Sequence, residues 1–344
     1  MPRWFLSDVS DVSEAGIADV SVDAYCEVVN IMDSYYVLTT GSVQAKVETF
    51  LFSSFDRIVE GFISPLMYFG DPSRRLYWLF LASSLVLTAL AYVLSYRQQY
   101  SLPQAIRALC SSRYWFNRST ATDVFYLFTN SILKIAILVP LFGSHLWATI
   151  IVARFFQGNF GNAPELDIPV WLIMVCFTLV FFILEDVTRF LVHFSFHKIP
   201  FLWRFHKVHH SANVLTPITV HRVHPIEMLV YFTRGLVVFG LVSGVFVYMF
   251  GSRLSGLQIL GVDAFGFMFN VLGANLRHSH VWLSFGRFER WFISPAQHQI
   301  HHSVDSEHHD KNMGTCLAIW DRLAGSLVRS SLKVKKLEFG LYQH

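Results

Sequence analysis

The chain has 344 residues, 53% of them hydrophobic and only 15% charged, with a formal net charge of +3. That balance excludes an ordinary soluble domain, and so small a positive excess spread over an apolar chain argues against a nucleic-acid partner. The four cysteines, Cys26, Cys110, Cys176 and Cys316, lie far apart with no C-x-x-C pair, which excludes both a disulfide framework and a thiolate metal site as readings.

Residues 1–42 carry Asp8, Asp11, Glu14, Asp19, Asp23, Glu27 and Asp33 against a single Arg3, the pattern of a polar N-terminal segment. No cleavable signal peptide is expected in so acidic and mildly apolar a stretch. From Val43 to Phe69 apolar residues recur among Lys46, Glu48, Asp56, Arg57 and Glu60. That mixture suits a helix lying in a membrane interface, ended by Pro65 and the Gly70-Asp71-Pro72 turn. Residues 1–75 therefore form one expected unit, and residues 76–344 a membrane-embedded domain.

Crossing a hydrocarbon core about 30 Å thick takes roughly 20 apolar residues. Runs of that length fall at 76–96, 124–146, 169–192, 228–250 and 256–276, which predicts an all-α polytopic bundle of four to five spans. Lys and Arg collect in cytoplasmic loops. Arg97, Arg107, Arg113 and Arg118 lie between the first two runs, whereas Arg154 is set against Glu165 and Asp167 after the second. Counting onward from there puts the N-terminus outside and residues 193–224 and 277–344 in the cytoplasm, as a histidine-rich helical cap.

The third run holds Glu185, Asp186 and Arg189 in its last turns. A carboxylate at mid-bilayer costs about 2.5–3.5 kcal/mol, so such residues face the protein interior or sit near the interface. Asp186 precedes His193 and His197 by two and three helical turns on one face, a place from which it can orient a ligand imidazole. A Glu185–Arg189 pair beside an interfacial Asp186 is the alternative.

Fourteen of the 16 histidines lie between residues 193 and 309. They form three boxes: His193-x3-His197, His206-x2-His209-His210 and His298-x2-His301-His302. Residues at i, i+3 and i+4 share a helix face, so each box can aim two or three imidazoles at one spot. Eight imidazoles exceed what one four-coordinate site uses, which implies two metals. His221 reads as a polar interfacial residue, and His308 and His309 as solvated, with Asn312 a local cap. His145 and His344 lie outside the cluster.

These boxes resemble those of the fatty acid hydroxylase and sterol desaturase superfamily of integral membrane di-iron enzymes. The likeness extends to Asp186 ahead of His193, to His210-Ser211 and Arg222-Val223-His224-Pro225-Ile226-Glu227, and to Arg277-His278-Ser279. It also takes in Ser294 to Ser303, Lys311-Asn312-Met313-Gly314 and Ile319 to Gly325, and so covers roughly residues 120–330. Phe194 stands where many members have Arg, Ala274 where a fourth H-x-x-x-H pair would begin, and His280 where the family has Asn. The resemblance adds His278, His224 and His280 to the candidate ligands. It implies two iron ions, O2 as co-substrate, and a lipid or sterol substrate that is hydroxylated or desaturated at an unactivated C–H bond.

The sequence contains no G-x-S-x-G elbow, Rossmann glycine fingerprint, flavin motif or heme-binding H-P-G-G. Electrons are then expected from a cytoplasmic reductase, ferredoxin or cytochrome b5-like donor, docked on Arg287, Arg290 and Lys333 to Lys336. Trp203, Phe205, Trp282, Phe285 and Trp291 are candidates for lining a path from the bilayer, with core packing as their other reading. Two further classes stay open: a zinc-dependent membrane hydrolase, although no box carries the general-base Glu of H-E-x-x-H, and a metal transporter, although the histidines cluster at one end of the spans.

Overall fold

The computed structural model describes residues 43–92, 111–251, 258–259, 262–331 and 336–341, with side chains from Ser53 onward. The expected polar segment 1–42 lies outside the described residues. The chain divides into two compact units, Met1–Arg57 and Ile58–His344.

Helix α1 runs over Val43–Met67 as the sequence predicts, and Phe55, Ile58, Phe62 and Leu66 on it are exposed. Helix α2, Trp78–Ala91, follows the Gly70-Asp71-Pro72 turn, in which Asp71 accepts from the Ser73 amide and pairs with Arg74. The short α3, Ser112–Trp115, leads to Asn117, whose side chain accepts from the Thr120 amide and caps α4, Arg118–Leu133. A single π turn, Lys134–Leu138, joins α4 to α5, Val139–Phe142.

Gly143, at φ 79°, breaks the helical run, and Ser144 caps α6, His145–Phe160. The sequence reading treats this stretch as part of a loop, because Arg154, Gln157 and Asn159 interrupt its apolar pattern. Helix α7, Val170–Lys198, is 29 residues long, about 43 Å at 1.5 Å per residue, so its histidine-bearing end projects beyond a hydrocarbon slab. Helix α8, Pro200–His210, starts on a proline at its first position, where the missing amide costs nothing. A 3-10 turn, Pro217–His221, leads into α9, Pro225–Phe250.

Helices α6 and α9 form the closest long packing, and small residues make it possible. A Cβ at Gly240 would lie 2.7 Å from that of Ala148, and one at Gly244 would lie 2.5 Å from that of Val152. This is the small-xxx-small contact by which helices approach in lipid. Glu185 of α7 accepts from Arg189 and from Arg234 of α9, so its partners include a second arginine across the helix pair.

Three stretches are long and apolar enough to cross a membrane: Arg118–Phe160 with its break at Gly143, Val170–Lys198 and Pro225–Phe250. The expected span at 256–276 is not a spanning helix among the described residues. It contains a two-residue hairpin, Gln258–Ile259 with Val262–Asp263, and an eight-residue helix α10, Ala264–Val271. Gly273, at φ 101°, ends α10 and starts the 3-10 turn Ala274–His278 that delivers His278. The short α11, Pro295–His301, and α12, Ile319–Ala324, complete the histidine-bearing end.

Candidate metal centre

Nine imidazoles converge in two sets. His193, His197, His206, His210 and His301 form one, and His209, His278, His298 and His302 the other; within each set the ligand atoms lie within 4.8 Å of one another. The sequence expects each box to serve one spot, but α8 sends His206 and His210 to the first set and His209 to the second. Helix α11 likewise sends His301 to the first, while His298 and the capping His302 go to the second. Adjacent helical positions differ by about 100°, so H-x-x-H-H spreads its rings over two directions.

The rings meet through their inner nitrogens. His193 Nε2 lies 3.0 Å from His206 Nε2, and His210 Nε2 lies 3.2 Å from His206 Nε2. In the second set His278 Nε2 is 3.2 Å from His209 Nε2 and 3.1 Å from His298 Nε2. Nitrogens bound to one ion at about 2.1 Å and at right angles stand about 3 Å apart. The Nε2 atoms of His197, His301 and His302 are buried without a hydrogen-bond partner, the mark of a lone pair aimed at a cation.

The outer nitrogens are held by acceptors. His193 Nδ1 donates to Met313 O (2.7 Å), His206 Nδ1 to Glu227 Oε1 (2.8 Å), His209 Nδ1 to Arg222 O (3.2 Å) and His301 Nδ1 to Lys311 O (2.7 Å). His197 Nδ1 faces Asp310 Oδ1 at 3.3 Å, and Asp310 is also paired with Lys198. A proton fixed on Nδ1 leaves Nε2 as the ligand atom, which is how metal-binding histidines are oriented. His298 is the exception, since the Arg277 guanidinium donates to its Nδ1 (2.8 Å). Burial above all holds His206, His210, His278, His298, His301 and His302 well below the usual 6.5 and puts His209 at about 4, so these rings stay neutral. A set of neutral, inward-facing imidazoles with no thiolate fits a pair of borderline transition-metal ions.

One loop organises the first set. Residues 310–313 supply acceptors to His197, His193 and His301, with Asp310 (φ 58°) and Asn312 (φ 54°) in the left-handed region that Asp and Asn tolerate best after glycine. Asp321 accepts from the Met313 and Gly314 amides, and buried Asn312 bonds Gln297 O and the Val328 amide.

Asp186 completes this clamp instead of touching an imidazole. Its carboxylate accepts from the Cys316 and Leu317 amides (2.9 and 3.0 Å) and from Trp320 Nε1 (2.9 Å). The helical register that puts it in line with His193 is correct, but its partners are backbone groups of a segment 130 residues away. A second clamp holds the 211–224 loop. Buried Asp123 of α4 accepts from Arg222, Thr216 and Thr219, which fixes the Arg222 carbonyl behind His209.

His224 and His280 join neither set. His224 Nδ1 accepts from the Ile226 amide and caps α9, while exposed His280 packs edge-on to Tyr114 at 4.4 Å. His221 packs against Tyr68 and lines a cavity, and burial, then Arg75 and Arg74, hold it at about 4. His308 is buried, contrary to expectation, and His309 is exposed. Glu227 is the functional residue that sequence reasoning leaves without a role; its only cue is an acid in the first turn of a helix after Pro225.

A cavity of about 360 Å³ abuts both sets, with His193, His206, His209, His278 and His298 in its wall. Trp203, Phe205, Trp282, Phe285 and Trp291 do not line it; Trp282 is buried in the core and donates to Ser331 O.

Fold and site together define a membrane-embedded helical protein with twin histidine sites for metal. Residues 178–326 match the fatty acid hydroxylase family model, and the chain belongs to the fatty acid hydroxylase and sterol desaturase superfamily. It is 30% identical over 145 residues to ornithine lipid hydroxylase OlsE of Rhizobium tropici, covering 42% of this chain and 39% of that protein. It is 28% identical over 149 residues to alkylglycerol monooxygenase of Danio rerio (43% and 30%). To very-long-chain aldehyde decarbonylase GL1-9 of Oryza sativa subsp. indica it is 29% identical over 160 residues (46% and 57%). The matched segment thus spans between 30% and 57% of these relatives' own length. No solved structure matches the chain significantly.

Proposed function

We propose that the protein is an O2-dependent membrane oxygenase that hydroxylates or desaturates an unactivated C–H position of a lipid or sterol-like molecule. The observation that carries this reading is the convergence of nine buried imidazoles, in two adjacent sets, on the wall of one cavity. The printed activities of the relatives, lipid hydroxylation and alkylglycerol monooxygenation among them, support the same class.

His193, His197, His206, His210 and His301 would hold one iron ion and His209, His278, His298 and His302 the other. Such an iron pair supplies the redox chemistry that activates O2, which no acid or base on the page replaces. The chain's own part is positional. Glu227 Oε1 and the carbonyls of Met313, Arg222 and Lys311 hold the Nδ1 protons, so four inner lone pairs stay aimed inward without reorganisation. Close burial of the sets keeps water from competing with substrate.

Electrons come from a separate donor, a reductase, ferredoxin or cytochrome b5-like protein. Exposed Arg287 and Arg290 support a basic docking face; Lys333 and Lys335 lie outside the described residues. The loop charges support a cytoplasmic position for the metal site.

The test is metal analysis of purified full chain followed by oxygen consumption with a chemical reductant and a lipid extract. About two iron ions per chain with lipid-dependent O2 uptake, both lost in His193→Ala and His302→Ala, is the expected result. A single zinc and no uptake rejects the reading.

A further inference from the structure

We propose that the cavity beside the metal sites takes an amphiphile with an oxyanion head, held by Arg75 and Lys134. This rests on the reading of that cavity as the substrate's. Its wall contains five cationic side chains, Arg74, Arg75, Lys134, Arg189 and Arg277, against one carboxylate, Glu227, which is engaged with His206. Three of the five are committed elsewhere. Arg74 pairs with Asp71 at 3.0 Å, Arg189 with Glu185 at 2.6 Å, and Arg277 donates to the Gly314 and Thr315 carbonyls and to His298.

Arg75 and Lys134 pair with no carboxylate among the described residues. The Arg75 guanidinium rests over the Phe269 ring at 5.2 Å, and Arg277 lies over the same ring at 5.5 Å, so the unpaired cation is near the histidine sets. Burial and then the like charges of Arg277 and Arg189 push Arg75 down to about 9, a field that an incoming anion relieves.

Lys134 sits in a stretch long and apolar enough to cross a membrane. A lysine there costs about 2.5–3.5 kcal/mol at mid-bilayer, and intramembrane charges that persist mark pathways or sites. It occupies the one π turn of that stretch, an irregularity that tends to accompany function. A planar guanidinium and an ammonium together are the usual receptors for phosphate or carboxylate oxygens. A cationic head would meet repulsion from every one of these groups except Glu227.

The experiment measures binding to purified full chain in neutral detergent by calorimetry, with decyl phosphate, decanol, decyltrimethylammonium and inorganic phosphate as probes. No turnover is needed, so the result stands apart from the oxygenase reading: absent O2 uptake with intact phosphate preference would reject that reading and keep this one. Decyl phosphate is expected to bind wild type at least about tenfold tighter than decanol, the scale of one or two charge-assisted hydrogen bonds. The R75Q/K134M variant should lose that preference while keeping its metal content and elution profile, and R75K/K134R should retain most of it. Equal affinity for decyl phosphate and decanol overturns the proposal, as does a preference that survives R75Q/K134M or one for the ammonium probe. Displacement of decyl phosphate by inorganic phosphate at equal concentration also overturns it, because the site would then read a free ion and not an amphiphile.

Discussion

Glu227 shows how one side chain sets the chemistry of another. Its Oε1 receives the His206 Nδ1 proton at 2.8 Å in a buried pair, and its Oε2 has no partner. Removing the carboxylate frees the imidazole to rotate or to change tautomer. Glu227→Ala should therefore weaken iron binding by roughly ten- to a hundredfold, read by chelator competition, while Glu227→Gln, which still offers an amide oxygen, should lose less. Unchanged affinity in both would mean that His206 is oriented by packing alone. The sequence shows Glu227 within a quoted motif but assigns it nothing, because its partner stands 21 residues away in another helix. Asp186 was legible as special and misread in its task, for a physical reason: backbone amides of Cys316 and Leu317 leave no side-chain signature to look for.

Helices carry the site's precision, and their legibility followed their length. The apolar runs at 169–192 and 228–250 are readable because nothing polar breaks them, and α7 and α9 occupy them. Helix α6 went unread since Arg154 falls in its middle, although Gly240 and Gly244 on α9 record where it packs. A methyl group at Gly240 would overlap Ala148 at 2.7 Å, so Gly240→Ala should destabilise the detergent-solubilised protein by about 1–3 kcal/mol, visible as a lower unfolding temperature. Gly158→Ala serves as the control: nothing lies within 4 Å of its Cβ position, and no loss is expected there. The expected 256–276 span failed on a single backbone feature, the left-handed Gly273, whose turn toward the site matters more than continued apolar length.

Across the whole molecule, the convergence of the three boxes was predictable from their number and spacing, whereas the allocation of rings to two sets required three-dimensional register. Both sets draw on distant chain segments: His193 meets a carbonyl 120 residues away, and His209 meets His278 across 69 residues. Ligands of that separation bind an ion only in the assembled protein, so metal binding adds directly to stability. Stripping the metal with a chelator should lower the unfolding temperature by several degrees, more in wild type than in His302→Ala, which has less to lose.

Helices α8 and α11 each hand rings to both sets, and that arrangement has a consequence for loading. Seating the first ion stiffens the very helices that present ligands to the second, so half-filled chains should be scarce at intermediate supply. Titrating iron into apoprotein is expected to give a steep, sigmoidal filling curve, and native mass spectrometry should find empty and doubly loaded molecules side by side.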